Sequence, residues 1–433
     1  FILIMGLFGN NNEVEAADSP FAMKAMWISY IDISSGGLKD ATQAQFRANF
    51  TTMCNTAISN ACNTVIVQVR PNSDAIYPSD YYPWSTSINS NGQSPGYNPL
   101  AIMVEIAHSK GLKIQAWINP YRISSNSTTT AALNTTKNYN KGTIQQKYNE
   151  WNQAGMVIAY ASGSTQCLGL NPDSAAARQL IINGVAELVN NYQIDGIVFD
   201  DYFYVGTSKN LVPSAADRRN VVNVLIRDVH SAINGRVPFG VSPSGNIDSA
   251  RDDGADIDTW LANAGYIDYI APQLYWSNSY LQNNSYVTMF SNRLQPWITA
   301  NKRNIPIYPA LAVYKTVDIG QNGNDKGWES SKTNLASQWM LASSLGCDGY
   351  SLYRIAYCSS PTAAEELANL RNASGPKLLD TTNKYVAYES QVQDVGWQNS
   401  TSDGGVSGTT GIAKRIEAIM IKLGDKVSSG GIT

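Results

Sequence analysis

Short β-branched and apolar runs alternate along the chain with stretches in which apolar residues recur every three or four positions. The runs predict strands over 24–31, 64–70, 112–118, 194–200, 236–242, 267–274, 305–311 and 347–353. Between them the spacing turns helical. Phe46, Phe50, Met53 and Ala57 follow steps of four, three and four, and Ile181, Val185, Leu188 and Tyr192 do the same after an Asp173/Ser174 cap signal. Further helices are predicted over 98–110, 214–234, 256–263, 285–302, 331–344 and 361–372.

Eight strands, each followed by a helix, predict an α/β chain folded as a (β/α)8 TIM barrel over 22–372. The connection over 122–172, after the third strand, is rich in Ser, Thr, Asn and Tyr, and its length predicts a lid or cleft wall. Beyond 372 the pattern changes. Residues 373–384 read as a linker, and 385–423, with turn glycines and a final apolar run from Arg415 to Leu423, read as a small all-β module.

Hydrophobic residues make up 43% of the 433, enough for a large core. Only 15% are charged and the net charge is −3, with no basic run, so nucleic acid is not an expected partner. The apolar start, followed by Val14-Glu15-Ala16 ahead of Ala17, predicts that 1–17 is a signal-peptide remnant and the protein secreted or held at the cell surface. No later segment approaches the ~20 apolar residues of a membrane span. The five Cys form no metal-binding spacing and are expected to be buried free thiols.

In a barrel of this kind, chemistry collects at the C-terminal strand ends. Those ends carry Arg70 and Asn72, with Asp74 just beyond; Trp117, Asn119, Tyr121 and Arg122; Asp200, Asp201, Tyr202 and Tyr204; Ser242; Gln273, Tyr275 and Trp276; and Tyr353. Aromatic faces, amides and a few carboxylates suit the apolar faces and hydroxyls of a sugar, so a polysaccharide or oligosaccharide is the expected partner.

Both histidines, His108 and His230, fall inside predicted helices. A Ser-His-Asp triad, a His-ligated metal or another cofactor is therefore not expected at the rim. Carboxylate chemistry remains. Alternation along Asp195-Gly196-Ile197-Val198-Phe199-Asp200 turns Asp200 into the barrel mouth and leaves Asp201 to start the loop. Adjacent carboxylates in a partly buried cleft separate in pKa, one staying protonated near neutral pH. Neighbours on one strand do not flank a glycosidic bond across the usual gap of roughly 5–9 Å. The second group is left to Asp74 or Asp32 across the mouth, or to the substrate's own N-acetyl group.

The runs Gln68-Val69-Arg70-Pro71, Pro83-Trp84-Ser85, Ala116–Arg122, Asp195–Tyr204, Val241-Ser242-Pro243 and Ala271–Trp276 resemble the bacterial glycosyl hydrolase-like family 10 over roughly 22–370. The resemblance implies a (β/α)8 barrel and an extracytoplasmic hydrolase, with some members similar to enzymes that cleave peptidoglycan glycan strands. Chitinase-type enzymes carry Asp-Gly-x-Asp-x-Asp-x-Glu on the fourth strand. Here Asp195, Gly196 and Asp200 match, but Val198 replaces the first inner Asp and Tyr202 stands where the acid Glu would be. That departure excludes a mechanism resting on the Glu, though not substrate assistance. The tail from Gln391 to Ala418, with Gly396-Trp397, resembles the clostridial hydrophobic repeat, which implies a module for surface or carbohydrate contact in a Gram-positive anaerobe.

The expected function is cleavage of an amino-sugar polysaccharide of cell-wall type by Asp200 and Asp201, with Asp200 the better placed for chemistry. The alternatives are a sugar-binding barrel without turnover and a surface adhesion or scaffold protein acting through 385–423.

Overall fold

The computed structural model describes residues 23–124, 144–373, 384–392, 396–397, 401–408, 415–424 and 426–427. Segment 1–17 and nearly all of the predicted linker lie outside these residues.

Eight parallel strands form the core sheet: β1 (Lys24–Ile28), β2 (Thr64–Arg70), β3 (Lys113–Ile118), β4 (Gly196–Phe199), β5 (Phe239–Val241), β6 (Tyr269–Ile270), β7 (Ala310–Ala312) and β8 (Tyr350–Tyr353). Their order is β7-β8-β1-β2-β3-β4-β5-β6. Parallel bridges Ile270↔Ile307 and Gln273↔Ala310 join the two edges, so the sheet curls into a barrel. Strands five to seven are shorter in regular pairing than their apolar runs suggest, because Pro243, Pro272, Pro306 and Pro309 supply no N–H to a ladder.

A helix follows each strand: α1 (Gln43–Ser59), α2 (Pro99–Ser109), α3 (Ala175–Asn191), α4 (Ala215–Ile233), α5 (Ile257–Ala262), α6 (Met289–Ala300), α7 (Asn334–Ser344) and α8 (Ala364–Ala373). The caps are legible. The Thr42 hydroxyl accepts from Gln45 N, and the Ser174 hydroxyl accepts from Ala177 N at the predicted start of α3. Phe46, Phe50, Met53 and Ala57 are all buried, as their spacing requires. The predicted helix over 285–302 begins later, because Ser285–Val287 pairs with Tyr280–Gln282 as a hairpin turned by Asn283 and Asn284, both at positive φ.

Alternate strand residues face two cores. Val65, Val67 and Val69 pack outward under the helices, while Ala25, Trp27, Ile66, Trp117, Val198, Tyr269 and Tyr308 fill the barrel. A Cβ on Gly240 would come within 2.2 Å of the Tyr269 ring, so a glycine there makes room for that inward tyrosine, whose hydroxyl donates to Gln115 Oε1 at 2.6 Å.

The described part of the excursion after β3 carries regular structure. Arg122–Ser124, Thr165–Leu170 and Val157–Ser162 form an antiparallel sheet beside the helix Ile144–Gln153, and Ala161 N donates to Thr207 Oγ1 in the β4 loop at 2.8 Å. Farther along, Val386–Val392 pairs antiparallel with Ile416–Leu423, Gly396–Trp397 and Thr401–Ser402, the expected small β module. All five Cys are free. No helix among the described residues is long and apolar enough to cross a membrane.

Candidate active site

The C-terminal strand ends enclose a recess of about 130 Å³ lined by Trp27, Ser29, Tyr30, Ile31, Gln68, Trp117, Arg122, Asp200, Asp201, Tyr202, Ser242, Gln273, Tyr275 and Tyr353. Alternation on β4 does what the sequence implies: Ile197 and Phe199 face the helices, Val198 faces the barrel, and Asp200 follows it inward.

Asp200 is 3% exposed. Its Oδ2 accepts from Trp117 Nε1 at 3.0 Å and from Asn119 Nδ2 at 3.1 Å, while its Oδ1 is buried with no protein partner. Burial pushes its pKa up to about 6, opposed by the Arg122 charge, the Trp117 and Asn119 donors and the Tyr202 backbone. Half-buried Asp201 is pushed up to about 7, by burial first and then by the neighbouring Asp200 charge, with the Gln273 amide pulling the other way. Both carboxylates therefore titrate near neutrality, as expected of an acid/base pair.

The walls are aromatic. Tyr275 stacks on Tyr353 with centroids 5.5 Å apart, and Tyr314 meets both edge-on. Trp27 and Trp117 make a T-shaped floor at 5.0 Å. The Arg122 guanidinium lies 4.9 Å from the Tyr202 ring and 5.6 Å from Tyr30, anchored by a 2.9 Å bond from Nε to Pro71 O. Tyr202 and Ile31 leave apolar surface exposed at the lip.

Of the residues expected at the site, Trp117, Arg122, Asp200, Asp201, Tyr202, Ser242, Gln273, Tyr275 and Tyr353 line the recess. Asn119 stands behind it and donates to Asp200. The others are elsewhere. A register shift between Gln68 and Arg70 breaks the alternation, and the Arg70 guanidinium packs under α3, 4.1 Å from the Tyr82 centroid. Asp74 folds its own loop: it is buried, accepts from Asn72 N at 3.0 Å and interacts with Ser85. Asn72 lies in that loop with it.

Tyr121 is buried against Phe203, Tyr204 is buried where its N bonds Asp253 O, and Trp276 faces Arg293. Asp32 is also spoken for. It accepts from Ser29 N and Oγ, each at 2.7 Å, and pairs with Arg354.

Trp27, Ser29, Tyr30, Ile31 and Gln68 are the additions to the expected set. Gln68 was within reach of the strand pattern, being the last inward residue before the shift; Trp27 is the one large ring on the inward side of β1. The histidines sit at the opposite, N-terminal end, where His108 meets Asp195 at 2.8 Å and His230 meets Asp268 at 3.3 Å. Asp195, the first position of the chitinase-like pattern, thus braces the barrel base and accepts from Ile114 N. Among the described residues no group of three or more His, Cys, Asp or Glu could hold a metal ion.

The chain is 31% identical to Glycosyl hydrolase YngK of Bacillus subtilis (strain 168), the match covering 72% of this chain and 64% of that protein, so it spans less than two thirds of that relative. It is 30% identical to Glycosyl hydrolase DigH of Escherichia coli (strain K12), covering 72% and 76%. In fold it is similar to the catalytic domain of β-amylase from Paenibacillus polymyxa, with TM-score 0.52 and 11% identity over 82% of this chain and 99% of that one. It is similar too to the endo-1,4-β-mannanase of Rhizomucor miehei, with TM-score 0.50 and 11% identity over 82% and 94%. Residues 391–425 match the clostridial hydrophobic W repeat. Residues 22–330 match the family model Glycosyl hydrolase-like 10, and the chain belongs to that family.

Proposed function

We propose that this protein is a secreted glycoside hydrolase that cuts an amino-sugar polysaccharide of cell-wall type, using Asp200 and Asp201 for acid/base chemistry. The observation that carries the reading is the pair itself: two carboxylates, both raised toward neutrality, at the floor of an aromatic recess. Tyr202, Tyr275, Tyr353 and Trp117 offer ring faces to sugars, and Arg122, Ser242 and Gln273 offer polar contacts. The repeat-like module over 385–423 would hold the enzyme to envelope or polysaccharide.

The test is incubation with peptide-free glycan strands, chitin oligomers and plant polysaccharides, with products separated by mass. Cleavage of the amino-sugar glycans, abolished in Asp200→Asn and Asp201→Asn, is the expected result. Failure to cut any glycan would reject it. A sugar-binding barrel without turnover is the second reading, favoured by one observation: Asp200 and Asp201 are the only carboxylates lining the recess among the described residues. Oligosaccharide binding of equal strength in wild type and both variants, with no product, would establish it.

A further inference from the structure

The recess contains a set of unpaired polar atoms matching one functional group. Three buried atoms of its lining have no protein partner: Asp200 Oδ1, an acceptor, and Trp27 Nε1 and Gln68 Nε2, both donors. They are neighbours. Gln68 pairs in register with Trp117, Trp117 packs edge-on against Trp27, and Trp117 Nε1 reaches Asp200. Unpaired buried polar groups are costly, so a clustered set points to a ligand that satisfies it. An acetamido group presents one N–H, one carbonyl oxygen and a methyl. The set supplies an acceptor, two donors and an indole floor.

The position of the acids adds a second constraint. Asp200 and Asp201 are consecutive and lie on one side of the recess, and no other described lining residue is a carboxylate. The undescribed part of the β3 excursion, 125–143, contains no Asp or Glu. Asp32, held by Ser29 and Arg354, and Asp74, held by the Asn72 backbone, are the candidates for the opposite side and are engaged elsewhere. Among the described residues the lining thus supplies an acid but no second carboxylate facing it across the recess.

We infer that the substrate's own 2-acetamido group is the nucleophile, its N–H held by Asp200 Oδ1 and its leaving oxygen protonated by Asp201. This rests on the hydrolase reading above and reverses the roles expected from sequence. Asp200 receives two donors on Oδ2 and is the better anion; Asp201, with the higher pKa, keeps the proton. As the bond from C1 to the leaving oxygen breaks, the Asp201 proton moves to that oxygen and the acetamido oxygen bonds to C1. The resulting oxazolinium ring keeps its N–H against the Asp200 carboxylate. Water then adds at C1, its proton goes to Asp201, and the ring electrons return to the acetamido oxygen. The configuration at C1 is retained.

The test uses the full chain and the thiazoline of N-acetylglucosamine, a stable analogue of that ring, with binding read by calorimetry. Saturable binding weakened at least tenfold in Asp200→Asn is the expected result. No saturation up to about 10 mM, or equal affinity in the variant, would overturn the inference. The product anomer, followed by NMR during glycan cleavage, is the second readout. Retention supports the inference, and inversion sinks it while leaving the hydrolase reading intact. Thiazoline binding without cleavage of any glycan sinks the hydrolase reading and leaves the acetamido site supported.

Discussion

Trp117 Nε1 donates to Asp200 Oδ2 at 3.0 Å, across the junction of β3 and β4 at the floor of the recess. The indole both walls the site and holds one carboxylate oxygen, leaving the other oxygen for a ligand. Trp117→Phe keeps the wall and removes the donor. We expect kcat to fall by about ten- to a hundredfold with KM nearly unchanged, because a charge-assisted bond of about 1.5–3 kcal/mol is lost behind the reacting group. Steady-state kinetics on whichever glycan is cut checks this.

The pH profile follows from the two carboxylates. With the acetamido group as nucleophile, Asp200 acts ionised and Asp201 protonated, so kcat/KM should rise with pH as Asp200, near 6, loses its proton and fall as Asp201, near 7, loses its own. The profile should be a narrow bell centred between those values. A plateau extending beyond pH 8 would contradict the assignment of Asp201 as the acid.

Stability should run against activity at Asp200. Its folded pKa is raised above the usual 3.8, so its contribution to stability is fully present below that value. It is then lost as pH rises through about 6. Asp200→Asn, which has no charge to bury, escapes the loss. The variant should be more stable than wild type at pH 8 by on the order of 2–3 kcal/mol, and gain nothing at pH 4. Urea denaturation at the two pH values measures the difference.

Arg70 should matter for folding and not for sugar. It packs against Tyr82 and under Gly184, where an added Cβ would meet its Nη1 at 2.1 Å. Arg70→Ala and Gly184→Ala should each cost about 1–4 kcal/mol of stability while kcat/KM per folded molecule holds. A raised KM in Arg70→Ala would return that arginine to the site.

Asp32 ties the start of the chain's barrel to its end, through Ser29 after β1 and Arg354 after β8. Asp32→Ala should cost about 1–3 kcal/mol, because it removes the partner of the part-buried Arg354 guanidinium and the acceptor of two bonds from Ser29. Thermal unfolding gives the direct readout.

Much of this was legible in the chain. Eight apolar runs gave the strands, caps such as Ser174 gave helix starts, and alternation alone aimed Asp200 inward. What escaped was set by local departures from regularity. The shift between Gln68 and Arg70 rotates one side chain out of the mouth, which a strict period of two cannot anticipate. Asp74 and Asp32 looked free in sequence because their partners, the Asn72 backbone and Arg354, are met only in the folded loops and across 322 residues of chain. Trp27 is core, and it also carries an indole N–H that has no partner.

The seam where β6 meets β7 gives the barrel a clasp. Four backbone bonds cross it, from Ile270 to Pro306, Tyr308 to Ile270, Ala310 to Pro272 and Leu274 to Ala310, and Pro272 leaves out the rung that would reach Tyr308. The tyrosine stack lies over this clasp, with Tyr275 following β6, Tyr314 following β7 and Tyr353 ending β8. A sugar resting on those rings therefore also fastens the ring of strands. Amide exchange at Ile270, Tyr308 and Ala310 would slow on binding, and the protein would be tightest as a closed shell when its site is full.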